Sequence, residues 1–502
     1  MLAAAVHMLH TGAVASVVAA LSSSSMDADL CDWRSERLPP TVIPSHYNLT
    51  LRPQPAAGVF SGSVAIVAAA SAPTRCIVLH TGPNLTLSSM TVDGVAVARA
   101  RRNATSEMLT LELASTVPAG PVVLRFEFGS QLHSSVGQGY PANRGFYRIP
   151  VNDSAGLPSW MAISELWAVE ARTEFPCFDE PALKATFSMS LEVPASAPPG
   201  SMTTNMPLVG CATLPPADAS GAGGGGATPS MLQRCTFQTS PPMSTYQPMA
   251  LFAPLQTPWP ATHSRSGIPV RMLMVPGAAP PATTALTLAV GAAAIDAYEH
   301  LLQVPYPLPK LDLIVVPANH FGGFEAWGAI EFMGKLVTPP ADDPARVLTM
   351  CWLVSHETSH MWFGDLATGA WWNQMWLNEG MAVFFQHLGC GHAHPELHYP
   401  FTFFETSMRG ALTGDANLNK DGGWATGGAV VPPVKCGKDS WDARVPWGNC
   451  SGSNEHAFQE TVVTQMYQKG ASVLRMLQLY IEKTAHWCVP PPAAVVVPMA
   501  AC

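Results

Sequence analysis

Charge is scarce in this chain. Lys, Arg, Asp and Glu make up 12% of 502 residues, against about 25% in ordinary soluble domains, so the surface relies on Ala, Pro, Ser, Thr and Gly. Positive charge is the scarcer sign. The formal net charge is -9 and the pI lies near 5.9, which leaves no electrostatic case for a nucleic-acid partner. No internal repeat is evident. The first charged side chain is Asp27, so the apolar stretch Leu2 to Leu21, broken by His7, His10, Thr11 and Ser16, has no basic flank in front of it. A secretory signal normally carries one. About twenty apolar residues are also enough to span a bilayer. Residues 1–30 are therefore read as a leader with three open fates: signal, membrane anchor through residues 2–21, or disordered extension.

Length and proline are abundant. A chain of 502 residues exceeds one hydrophobic core and implies two or three domains. Its 47 prolines favour loops and sheet edges over a helical bundle. The 11 cysteines cannot all pair with one another. Cys211 with Cys235, and Cys436 with Cys450, are spaced as local loop staples. Asn-x-Ser/Thr sequons begin at Asn48, Asn84, Asn103, Asn152 and Asn449, where chance predicts about two. Sequons, cysteines and leader together favour a secretory-pathway setting, extracellular or as a membrane-anchored ectodomain, with a cytoplasmic location as the alternative.

From about Arg37 to Pro258 the chain reads as β. Tyr47 to Leu51, Ser63 to Val67, Met108 to Leu113 and Val122 to Phe128 alternate or are β-branched between turn residues. Pro215 to Ser230 reads as a flexible Gly/Ala insert. Thr284 to Gln303, Val347 to Phe363 and Trp376 to Leu388 are helix-like, and Leu311 to Val316 is a short apolar strand. The expectation is a β domain over 37–257, a mixed α/β domain over 258–484, and an atypical Pro/Ala/Val tail over 485–502.

The strongest chemical signal is His356-Glu357-Thr358-Ser359-His360. Helical residues four apart share a face, so both imidazoles reach one ion, with Glu357 on the neighbouring edge to hold a water. Zinc suits such nitrogen and oxygen ligands and keeps one position open in catalytic sites. Val347, Met350, Cys351, Val354 and Met361 form a stripe roughly opposite the histidines, so one face packs and the other meets a cleft. Glu379, inside Trp376-Leu377-Asn378-Glu379-Gly380, follows His360 after 18 residues and would complete a His2Glu site from a second, antiparallel helix.

The stretch His356 to Phe385 resembles the gluzincin zinc aminopeptidases typified by aminopeptidase N, which combine HExxH, eighteen residues and a WLNEG segment. Trp362-Phe363-Gly364 and Trp371-Trp372-Asn373 match as well. Gly322-Gly323-Phe324-Glu325-Ala326-Trp327-Gly328 is similar to that family's GAMEN-Trp-Gly segment, with Phe324 and Ala326 in place of Met and Asn. The resemblance assigns Glu325 to the substrate amine and the strand Gly322, Gly323 and Phe324 to its backbone. Glu170 to Pro181 is similar to the family's DARRAFPCFDEP run. Upstream, Glu165, Leu166, Trp167 and Ala168 stand where the family has Gln-Phe-Glu-Pro, so Trp167 replaces a carboxylate and Glu165 is the candidate substitute. Tyr467, in a run resembling Tyr-x-Lys-Gly-Ala-x-Val-Leu, is assigned to the oxyanion. Arg37 to Tyr47 and Gly145 to Arg148 are similar to the family's first domain. The resemblance covers about residues 37 to 480, with insertions at 211–235 and 415–455.

It implies a multi-domain protein: an N-terminal all-β saddle-like domain, then a thermolysin-like (gluzincin) α/β catalytic domain that stops short of the family's length. It also implies one zinc ion per chain, held by His356, His360 and Glu379, with Glu357 as general base and Tyr467 as oxyanion donor. The substrates would be peptides with a free N-terminus. Two alternatives remain: an inactive zinc- and peptide-binding remnant, and a bifunctional epoxide hydrolase. The Trp327-Gly328 continuation leans away from the second. Glu325 disfavours an endopeptidase, because its charge would meet an uncharged amide.

Overall fold

The computed structural model describes residues 30–33, 35, 37–134, 144–215, 231–255, 261–276, 281–317, 322–418 and 463–484. The leader, the Cys436 and Cys450 pair, the sequon at Asn449, the tail 485–502, the boundary near 258 and most of both expected insertions lie outside the described residues.

Alternation builds the first half. In Val42–Gln54 the inward side chains Tyr47, Leu49 and Leu51 are fully enclosed, while Asn48 faces solvent. This strand sits inside an eight-stranded sheet, antiparallel to Val59–Ala70 and parallel to Thr186–Pro194. Val59–Ala70 in turn pairs with Gly120–Gln131 along its whole length. The four runs expected as strands all lie inside these strands or inside Met108–Val117. A five-stranded sheet carries Gly145–Asn152 beside Pro158–Glu165.

The Glu170 to Pro181 run is a buried polar knot. Arg172 donates to Asp179 at 2.8 Å, and Thr245 donates to the other carboxylate oxygen at 2.6 Å. Tyr47 accepts from the Phe178 amide, and Glu180 takes Arg37 and the Leu38 amide. Charged groups this deep persist because each has a partner.

The second half is a mixed five-stranded sheet packed on helices. Pro269–Met274, Leu311–Val316 and Ala329–Met333 run parallel, and Gly323–Phe324 closes one edge antiparallel. Leu311–Val316 is buried at every position, which explains its unbroken apolar run. Helix Pro281–Leu302 is, among the described residues, the one helix long and apolar enough to cross a membrane. Here it is the core helix, with Ala294, Ile295 and Tyr298 fully enclosed.

The two halves are stitched by specific bonds. Tyr147 donates to Glu331 at 2.7 Å, Asn205 to the Trp327 carbonyl at 3.0 Å, and Tyr246 to the Gly364 carbonyl at 2.9 Å. Lys184 donates to the carbonyls of Asp365 and Leu366. All four end within six residues of Glu325 or His360, so the β region braces the site.

Candidate metal centre

Two helices carry the motif. Pro344–His360 starts cleanly: Pro344 occupies the first turn, and the Asp343 side chain accepts from the Arg346 amide at 3.2 Å. Its last turn is wholly enclosed, from Ser355 to His360. Met375–Ala393 follows and brings Glu379 to the same point. Tyr298, on the core helix, fixes the pair. Its hydroxyl lies 2.8 Å from the Ser355 carbonyl and 3.0 Å from the Phe385 carbonyl, one on each helix.

The three expected ligands converge. His356 Nε2 and His360 Nε2 are 3.2 Å apart, and Glu379 Oε2 lies 3.4 Å and 3.6 Å from them. Ligands bound about 2.0–2.1 Å from a tetrahedral zinc are separated by roughly 3.3 Å, so the observed triangle has the right edges. The second ring nitrogens fix the tautomers. His360 Nδ1 donates to the Phe363 carbonyl at 2.9 Å, and His356 Nδ1 donates to Gln386 Oε1 at 3.0 Å. Both Nε2 atoms therefore present lone pairs to a carboxylate oxygen that has no hydrogen-bond partner of its own. Three acceptors facing one point call for a cation.

The electrostatics show the same pull on positive charge, answered by a proton on His360 where no ion is bound. Burial opposes ionisation of Glu379, yet the two imidazoles hold it down at about 2. Burial also opposes a charged His360, but Glu325, Glu379 and Glu357 carry it well above the ordinary imidazole range. Glu357 is pushed well up by burial and by the charges of Glu325 and Glu379, against the pull of His360.

These groups line one cavity of about 420 Å³, with Trp167, Gly323, Phe324, Glu325, Gln386 and Tyr467 around it. Gly323 is required there, since a methyl on it would sit 2.2 Å from Glu357 Oε1. Glu325 is buried, and its Oε1 has no partner. Trp327 donates to the Met361 carbonyl at 3.1 Å, which pins the Glu325 segment to the end of the motif helix, and Lys310 donates to the Gly328 carbonyl at 2.8 Å, which ties it to the start of Leu311–Val316. Tyr467 sits on a π-helical turn, Val463–Lys469, with its ring parallel to His356 at 6.0 Å and the charge of Glu379 close to its hydroxyl. Such turns widen a helix by one residue and recur at functional sites.

Two expected residues stand apart. Glu165 is fully enclosed and does not line the cavity; its carboxylate lies among Glu331, Arg144 and Glu170. It ends the strand Pro158–Glu165, paired with Gly145–Asn152, two residues before Trp167, which does line the cavity. Gly322 does not line the cavity either; its carbonyl accepts from Met333. Thr349, Trp352 and Leu353 line the wall and were not expected. They lie seven, four and three residues before His356, so the 3.6-residue period had placed them on its face.

The cysteines hold another surprise. Cys211 pairs with Cys235 as expected, and Cys31 pairs with Cys76. Cys351, expected only in the packing stripe, is bonded to Cys390 and joins the two ligand helices.

A buried two-histidine, one-glutamate triangle with an adjacent glutamate defines a metallopeptidase-type centre. The Peptidase M1 N-terminal domain model matches residues 43–247, and the Peptidase family M1 domain model matches residues 286–422. The chain belongs to peptidase family M1. Its relatives include the puromycin-sensitive aminopeptidase of Caenorhabditis elegans, 31% identical over 76% of this chain and 38% of the relative. Aminopeptidase M1 of Arabidopsis thaliana is 31% identical over 89% and 45%. Endoplasmic reticulum aminopeptidase 1 of Mus musculus is 30% identical over 92% and 45%. The chain thus spans less than half the length of these curated relatives. Membership implies zinc, and the ligand triangle fits it. Three disulfides and an endoplasmic reticulum relative point toward the secretory pathway.

Proposed function

We propose that this chain removes the N-terminal residue from peptides, using one zinc ion held by His356, His360 and Glu379. The observation that carries the reading is the buried, unpartnered Oε1 of Glu325, which shares one cavity with the ligand triangle. A free carboxylate in a low-dielectric pocket selects a cation, and a peptide's α-ammonium is the cation at the end of its chain.

When bound, the ion supplies polarisation of the scissile carbonyl and acidification of a water. Glu357, with its raised proton affinity, would act as general base toward the attacking water and return the proton to the leaving amine. The Tyr467 hydroxyl stays protonated, because burial and the charges of Glu379, Glu325 and Glu357 push its pKa well up, and it donates to the developing oxyanion. Glu325 holds the amine. The outer edge of Gly323–Phe324 pairs with the substrate backbone. We assign the β domain to 37–257 and the catalytic domain to 258–484. The setting is secretory, with residues 2–21 as signal or anchor.

The test uses the 502-residue chain with zinc, free aminoacyl amides, their N-acetylated forms, and Glu357→Gln. Hydrolysis of the free amides alone is expected. Glu357→Gln should retain about one zinc and lose at least 100-fold in kcat. Equal cleavage of the acetylated substrates, or an unimpaired mutant, would sink the assignment.

A further inference from the structure

We propose that the N-terminal β region carries N-linked glycans on Asn48, Asn84, Asn103 and Asn152. The inference goes beyond the peptidase reading and rests on the secretory setting. Each of these asparagines begins an Asn-x-Ser/Thr sequon, and each is solvent-exposed in the folded chain. Exposure is not automatic for asparagine here: Asn205 and Asn378, which begin no sequon, are buried at 1% and 5%.

Three of the four stand where the backbone turns. Asn84 lies in the loop between strands Thr74–His80 and Thr86–Val92. Asn103 ends Arg99–Asn103, and its Oδ1 accepts from the amides of Thr105 and Ser106 at 2.9 and 3.2 Å. The carbonyl oxygen holds the turn, so the amide nitrogen, the atom that is glycosylated, is not needed for it. Asn152 ends Gly145–Asn152, and there Asp153 holds the turn by accepting from Ala155 and Leu157. Asn48 differs: it projects from the solvent face of a central strand, opposite Ala65 and Ser188. Arg102 donates to the carbonyls of Pro83 and Leu85, at 3.1 and 2.7 Å, and so draws the Asn84 loop against the strand that ends at Asn103. Two glycans would share that rim. None of the four residues lines the metal cavity.

The same region holds two of the disulfides, Cys31–Cys76 and Cys211–Cys235, which belong to the oxidising compartment where the transfer occurs. The donor is a lipid-linked oligosaccharide. The asparagine Nδ2 loses one proton and bonds the anomeric carbon of the first sugar, while that carbon's bond to the lipid pyrophosphate breaks.

The experiment expresses the full chain in a secretory eukaryotic host, with a C-terminal tag carrying one control sequon. An amidase that removes N-glycans is applied, and its Asn-to-Asp conversions are mapped by mass spectrometry. Conversion at all four positions is expected, and each of Asn48→Gln, Asn84→Gln, Asn103→Gln and Asn152→Gln should remove one gel-mobility step. A converted control tag with no conversion at the four positions overturns the proposal and leaves the secretory setting standing. An unconverted tag overturns both. Neither result bears on hydrolysis of aminoacyl amides, which is read separately.

Discussion

Gly380 and Gly470 meet backbone to backbone. A methyl group on Gly380 would lie 3.1 Å from the Cα of Gly470, and one on Gly470 would lie 3.2 Å from the Cα of Gly380. Gly380 follows Glu379, and Gly470 comes three residues after Tyr467. The close crossing of their helices is what sets the phenol beside the glutamate.

Gly470→Ala should therefore push the helices apart and withdraw Tyr467 while sparing the ligand triangle. The expected outcome is a kcat lowered at least tenfold, with zinc content unchanged. Steady-state kinetics beside metal analysis checks this. An unchanged kcat would mean that Tyr467 tolerates the displacement or takes no part.

The Cys351–Cys390 bond closes a loop with a sequence separation of 39. Chain-entropy arguments put its stabilisation at about 4 kcal/mol as an upper figure. Replacing both cysteines with Ala should lower the thermal midpoint by several degrees and speed loss of zinc to a chelator. A midpoint unchanged within error would show the bond to be energetically idle.

Glu174 supplies a pH test away from the metal. Burial raises its carboxyl from 4.5 to about 8, with the Ser164 hydroxyl partly opposing. The folded chain therefore keeps this proton where the unfolded chain loses it. The contribution is full below pH 4.5 and declines as pH rises toward about 8. In Glu174→Gln that slope should vanish, so the mutant gains on the parent across that window in denaturant melts. Parallel stability curves would contradict the buried protonated carboxyl.

The ligand set was legible because its information is local. Two histidines four apart on a helix, and a glutamate at fixed distance on the next, need no tertiary knowledge. Leu311–Val316 was legible for a similar reason: a strand buried on both faces is an unbroken apolar run. Long-range partners left no such mark. Cys351 fits the packing stripe whether or not Cys390 lies across from it. The π-helical turn under Tyr467 depends on neighbouring helices rather than on a residue pattern. The surroundings of Glu165 were not legible either, because a strand pattern says which face a side chain takes but not which charges lie across from it, here Glu331 and Arg144.

Gly323–Phe324 is the last strand of its sheet and only two residues long. At about 3.3 Å per residue, its rim can grip no more than roughly 7 Å of a docked peptide. On the proposed aminopeptidase reading, such a short ruler would measure the residue being cut and its neighbour and be blind to how much chain trails behind. On that reading, any preference for long or short peptides would be imposed by surfaces outside the cavity.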